Sequence, residues 1–147
     1  MIATTRDQSA RLLRCGVSAD TADMIYQMPI TVSQKAAKEN ILLVKNADKT
    51  LFDTDTPAWS LSGLLPLLPS VIKIHTPQGL EIYTIQLYFY ENGERWYNLA
   101  YVFIHRSLLS ITTNNLIEAV VQMIEQLTAN GYKLNDCPCR EKGGENE

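Results

Sequence analysis

Residues 80–105, "LEIYTIQLYFYENGERWYNLAYVFIH", decide how this chain is read. Two runs rich in aromatic and β-branched residues flank Asn92-Gly93, a pair suited to the positive φ angles of a type I′ turn. The stretch therefore predicts a β-hairpin. A two-residue turn sets Tyr90 opposite Arg95, Phe89 opposite Trp96 and Tyr88 opposite Tyr97. In that register one face carries Tyr83, Ile85, Leu87, Phe89, Trp96, Ala100 and Val102. The other carries Tyr88, Tyr90, Tyr97, Leu99, Tyr101 and Phe103. Both faces are largely apolar, which implies cover on each.

Downstream, "NLIEAVVQMIEQLTAN" begins with a capping box at Asn115 and Glu118. Leu116, Val120, Met123, Ile124 and Leu127 recur at helical spacing, with Glu118, Gln122 and Glu125 opposite. Gly131 is placed to end the helix, with Tyr132 as the apolar contact of a Schellman motif. The last residues, 136–147, have charge and glycine without periodicity and read as a disordered tail. Residues 1–135 are expected to form a single domain.

Upstream, Ser60 can cap a short helix, "LSGLLPLL", in which Pro66 is awkward and which Pro69 closes. Trp59 reads as a core anchor. "ILLVKNADKTLF" suggests a strand, a turn at residues 46–49 and a return strand. "QKAAKEN" could form two helical turns, and "DTDTPAW" a loop. At the N-terminus Thr5 and Gln8 fit a capping box for a helix over residues 6–15, ended by Gly16. Ser18 can cap a second helix reaching Gln27, where Pro29 stops it. The fold class that follows is α+β: an antiparallel sheet centred on the aromatic hairpin, packed by a C-terminal amphipathic helix and an N-terminal helical pair.

That helical pair has the punctuation of a helix-turn-helix, with Gly16 in the turn and Val17 and Ala22 positioned to pack. The helix that would enter the groove begins with Ala19, Asp20, Thr21 and Asp23. Its carboxylates repel phosphates, and no Arg or Lys occurs from Ala19 to Ile30. Arg6, Arg11 and Arg14 lie on the other helix, so DNA reading is not expected. A net charge of −3 over 147 residues, with 20% charged residues, also gives no general pull toward polyanions.

Other chemistries find little support. Cys137-Pro-Cys139 with His75 and His105 is a poor match to zinc spacing, so neither a metal nor a cofactor is expected. "DTDT" from Asp53 fails as a calcium loop, since Ala58 stands where glycine is required and Leu64 where the bidentate glutamate belongs. Ser60 and Ser62 lie in no nucleophile elbow, and no phosphate-cradling glycine motif occurs. Glu91 and Glu94 flank an exposed turn, where carboxylates are not tuned for acid–base work. An enzyme of unassignable reaction stays as a lesser alternative. No apolar h-region opens the chain, and three cysteines without an export signal suggest reduced thiols in the cytoplasm. The longest apolar run, residues 61–74, is too short to span a bilayer.

"TPAWSLSGLLPLLPS", the aromatic "IQLYFYENGERWYNLAY" hairpin and "NLIEAVVQMIEQLTANGYKLN" together resemble a family of small uncharacterised proteins. These recur in prophages and mobile elements of gut anaerobic bacteria, and the opening "LLRCGVSADTADMIY" is similar to the start of many of them. The resemblance covers most of the chain apart from residues 29–55 and the tail. It implies a phage or mobile-element setting and carries no catalytic residue to transfer. The function expected is a non-catalytic accessory or protein-interaction protein, binding itself or another protein. The alternative is a single-stranded nucleic-acid binder that stacks bases on Tyr88, Tyr90, Tyr97 and Tyr101 beside Arg95. Those five residues form the candidate interaction surface.

Overall fold

The computed structural model describes residues 3–27, 41–44 and 56–135. They form an α+β fold with two antiparallel sheets and three α-helices. Helix α1 (Arg6–Arg14) begins with the expected reciprocal cap: the Gln8 amide donates to the Thr5 hydroxyl (3.1 Å), and the Thr5 amide donates to Gln8 Oε1 (2.9 Å). Gly16, at φ +93°, ends it.

The expected second helix is replaced by something else. Ser18 caps only a single 3-10 turn, Ala19–Thr21, after which the chain extends into strand β1 (Met24–Gln27). A helix this short gains little by itself. As a strand, β1 hydrogen-bonds on both sides, lying centrally in a three-stranded sheet between β2 (Ile41–Val44) and β3 (Thr56–Ala58). Ile25 is fully buried there, and the Tyr26 hydroxyl donates to the Thr4 carbonyl (2.8 Å). Strand β3 was expected to be loop. Its Pro57 is tolerated because β3 is an edge strand. Strand β2 matches the reading of "ILLV". The turn and return strand after it, the "QKAAKEN" helical turns, Asp53, Pro29 and the tail all lie outside the described residues.

Ser60 caps helix α2 (Leu61–Leu64) by accepting from the Gly63 amide (3.2 Å). A 3-10 turn, Leu65–Leu67, follows and places Pro66 in its first turn, where no backbone donor is missed. Leu68 then turns extended before Pro69, as a pre-proline residue prefers. Trp59 is fully buried, and its indole N–H donates to Thr21 Oγ1 (2.9 Å). Asp23 fastens the same corner, accepting from the Ser60 amide (2.8 Å) and from the Ser60 hydroxyl.

The second sheet has the order β4-β5-β6-β7, built from Val71–Thr76, Gly79–Asn92, Glu94–Phe103 and Arg106–Thr113. The hairpin is where expected, but its register differs by one residue. Glu91 pairs with Arg95, Tyr90 with Trp96 and Phe89 with Tyr97, and the turn is centred on Gly93 at φ +80°. A one-residue slip changes which residues share a face. The observed register gathers Tyr83, Leu99 and Tyr101 on one side, beside Ile72 of β4 and Ile111 of β7, and all five are buried.

Helix α3 (Leu116–Ala129) lies on that side. It closes with a full Schellman motif, the Tyr132 amide donating to the Leu127 carbonyl (2.9 Å) and the Gly131 amide to that of Thr128 (3.1 Å). Helix α1 packs against the polar stripe of α3. The Arg11 guanidinium bonds Glu118 through both terminal nitrogens (3.0 Å each) and Glu125 through Nε and Nη2 (3.0 and 2.7 Å). Gln8 and Gln122 each donate to Glu118 at 2.7 Å. Burial pushes the Glu118 carboxyl up, but the hydrogen bonds from Arg11, Gln122 and Gln8 outweigh it and hold it below its ordinary value. Both carboxylates hold the Arg11 guanidinium still more firmly in its charged form, Glu125 most of all.

Candidate interaction surface

Alternation along the strands sorts the five expected surface residues onto two faces. Tyr101 is fully buried under α3, and its hydroxyl donates to the Pro69 carbonyl (2.6 Å). Tyr97 is half-buried on the same side, lining a hollow of about 290 Å³ with Leu61, Leu116 and Ile117. Arg95 also lies on that side, bonded to Glu91 (2.9 Å) and set over the Phe89 ring. Glu91 holds its guanidinium above the ordinary value. Only Tyr88 and Tyr90 occupy the opposite face. A four-tyrosine stacking platform beside Arg95 is therefore not assembled, because the register slip moves Tyr97 and Tyr101 to the core side.

The opposite face is nonetheless the most exposed apolar surface of the sheet. Tyr88 (54% exposed) and Tyr90 (48%) continue through Val71, Leu80 (46%) and Ile82. Trp96 lies across from Tyr90 on the same face. The polar residues between them are mostly neutral: Thr84, Gln86, Asn98, Ser110 and Thr112. The Asn98 amide nitrogen donates to Ser110 Oγ and Thr112 Oγ1 at 2.9 Å each, which ties β6 to β7. Among the described residues of this face the formal charges are Lys73 and, at the turn, Glu94. Sequence reading missed Val71, Leu80 and Ile82. Their alternation with Ile72, Glu81 and Tyr83 carries the signal, but only once β4 and β5 are paired.

Beyond the last β4 pair, Val71 with Thr84, the hairpin continues as an arm. There the other face is open too, with Leu87 and Phe89 (61%) exposed.

Elsewhere, a cavity of about 460 Å³ lies between the ends of α1 and α3, lined by Cys15, Val17, Asp20, Leu67, Thr128 and Lys133. It contains a thiol, a carboxylate and an ammonium group but no histidine to serve as a base beside Cys15. Among the described residues no three His, Cys, Asp or Glu side chains cluster closely enough to hold a metal ion. His75 is exposed on β4 and His105 in the β6–β7 turn, while Cys137 and Cys139 lie outside the described residues. No described helix is long and apolar enough to cross a membrane.

Arg11 is bound to α3, and Arg6 donates to Thr56 Oγ1 (2.8 Å) and lies over the Tyr26 ring. No protein-family model matches the chain, and no curated protein or solved structure matches it either.

Proposed function

We propose that this protein is a non-catalytic, protein-binding accessory factor that docks its partner on the open face of the β4-β5-β6-β7 sheet. The carrying observation is the run of Val71, Leu80, Ile82, Tyr88 and Tyr90, exposed together on one side of a sheet whose other side is filled by α3. Exposed apolar patches of this kind are unusual on a monomer and mark contact surfaces, and tyrosine suits them because it offers rigid area with a polar tip. The neutral polar rim of Thr84, Gln86, Asn98 and Ser110 supplies hydrogen bonds without charge, which fits a protein partner better than a phosphate backbone. The setting we propose is a phage or mobile element and the compartment the cytoplasm, both resting on the sequence reading.

The test is site-specific photo-crosslinking in cells, with a benzophenone side chain replacing Ile82 or Tyr88 and, as control, Arg14. A discrete protein adduct from the first two positions and none from the third is expected. Salt-sensitive oligonucleotide binding that is lost in Tyr88→Ala, with no protein adduct, would replace this reading by the nucleic-acid one.

A further inference from the structure

Strand β5 has a step on one edge. Strand β6 accompanies it from Thr84 to Asn92, whereas on the other side β4 stops opposite Thr84. The last bond on that side runs from the Ile85 amide to the Ser70 carbonyl (3.2 Å). Hydrogen-bonding direction alternates along a strand, so Leu87, Phe89 and Glu91 aim their N–H and C=O groups the same way, past Ser70. Among the described residues no strand occupies that step. Strand edges are commonly protected by proline, lysine or a bulge. The segment 86–92, "QLYFYEN", has no proline or lysine, and its pairing with β6 shows no register shift. Its one charge, Glu91, is turned across the hairpin to Arg95.

We infer that the step is filled by the same segment of a second copy, antiparallel about a two-fold axis through Phe89. This identifies one partner for the exposed arm and rests on the arm being an interaction surface. The start of β4 and the Gly93 turn bound the step at its two ends, so segment 86–92 fits its own copy over its full length. Phe89 then faces Phe89, Tyr88 faces Tyr90, Gln86 faces Asn92 and Leu87 faces Glu91. One face gains a row Tyr97-Phe89-Phe89-Tyr97, the other a row Trp96-Tyr90-Tyr88-Asn98, and aromatic pairs across strands are favourable. No carboxylate meets another. The two Glu91 side chains lie four residues apart along the strands, about 13 Å at strand rise, and each is already paired with its own Arg95.

The area sets the strength. Taking aromatic side chains at roughly 150–250 Å² and counting their exposed halves with Leu87 and bare backbone gives about 400 Å² per copy. The pair would bury roughly 800 Å², less than the ~1,200 Å² of a stable complex, so the dimer is weak and reversible.

Sedimentation velocity of the full chain across the micromolar range tests this, with amide exchange as a second readout. The wild-type mass should rise toward dimer. Phe89→Pro, which removes an amide that β6 does not use, and Phe89→Lys should each weaken association at least tenfold. Phe89→Lys keeps the test decisive should Phe89→Pro fail to fold. Arg14→Gln, on helix α1 away from the sheet, should dimerise as wild type does. Exchange at Leu87, Phe89 and Glu91 should slow as concentration rises, while Tyr88 and Tyr90, bonded to β6, stay slow throughout. A wild-type mass that stays monomeric, or a dimer that survives Phe89→Lys, overturns the inference. If crosslinking from Tyr88 still yields a different protein in either case, the docking reading stands without it. Absence of both self-association and adduct removes the two together.

Discussion

Replacing Arg11 by Met should cost this protein about 2–3 kcal/mol, because its guanidinium ties α1 to α3 through two bidentate carboxylate pairs. The figure lies between the ~0–1 kcal/mol of exposed ion pairs and the ~3–5 kcal/mol lost when one partner of a buried pair is removed. Side-chain exposures of 19% for Arg11, 21% for Glu118 and 36% for Glu125 place the cluster between those limits. Methionine keeps most of the aliphatic stem, so the loss reports the charge rather than the packing. For a chain of this length that is a fall in Tm of about 8 °C. Thermal and urea unfolding at neutral pH measure it, and Glu118→Gln with Glu125→Gln in the Arg11→Met background should restore most of the loss. The pH dependence adds a sign. Glu118 has a lowered folded pKa, so its contribution is complete above the ordinary glutamate value of about 4.3 and fades as pH falls through the folded value. The wild-type advantage over Arg11→Met should therefore shrink in acid. A loss below about 0.5 kcal/mol, or one that neutralising both carboxylates leaves unchanged, would refute the account.

Three further outcomes follow from local geometry. A Cβ at Gly63 would stand 2.6 Å from Asp23 Oδ1, so Gly63→Ala should break the Asp23–Ser60 corner; the expected loss is about 1–3 kcal/mol in urea unfolding. Tyr101→Phe removes the hydroxyl bonded to the Pro69 carbonyl and should cost about 1 kcal/mol at neutral pH. Burial raises the Tyr101 phenol, so its stabilising share is complete below the ordinary tyrosine value of about 10 and is lost as pH climbs past it; a base titration of stability should fall less steeply in the Phe variant. Ile104 is a β-branched residue at φ +55° in the β6–β7 turn and is 71% exposed. Relief of that strain should let Ile104→Gly raise stability by about 0.5–1 kcal/mol, read as a higher urea midpoint.

What the sequence disclosed was local. The Thr5-Gln8 capping box, Gly16, Gly131, the Ser60 cap and Pro66 are all set by neighbours a few residues away, and each is found as read; of the box read at Asn115, the bond from the Glu118 amide to the Asn115 side chain is seen. Readings that depend on distant partners were harder. "MIYQ" looked helical because its sequence does not reveal that β2 and β3 lie on either side of it. The polar stripe of α3 carries Glu118 and Glu125, whose partner, Arg11, lies more than a hundred residues earlier. The hairpin shows the limit most sharply. Its place was legible from Asn92-Gly93, but a turn centred on Gly93 rather than spanning two residues exchanges the fates of Tyr97 and Tyr101 with those of Trp96 and Ala100. Of the five candidate surface residues, Tyr88 and Tyr90 lie on the open face, and their neighbours Leu80 and Ile82 become visible only through pairing.

The joining of α1 to α3 has a consequence for how the molecule is made. On a ribosome, the segment bearing Gln8 and Arg11 is synthesised long before Glu118 and Glu125 exist, so it waits without the surface it docks against. Docking of α1 therefore waits until α3 has been made: a stalled or prematurely terminated product lacking α3 leaves Leu12, Tyr83 and Tyr101 bare, a substrate for chaperones and proteases rather than a working fragment.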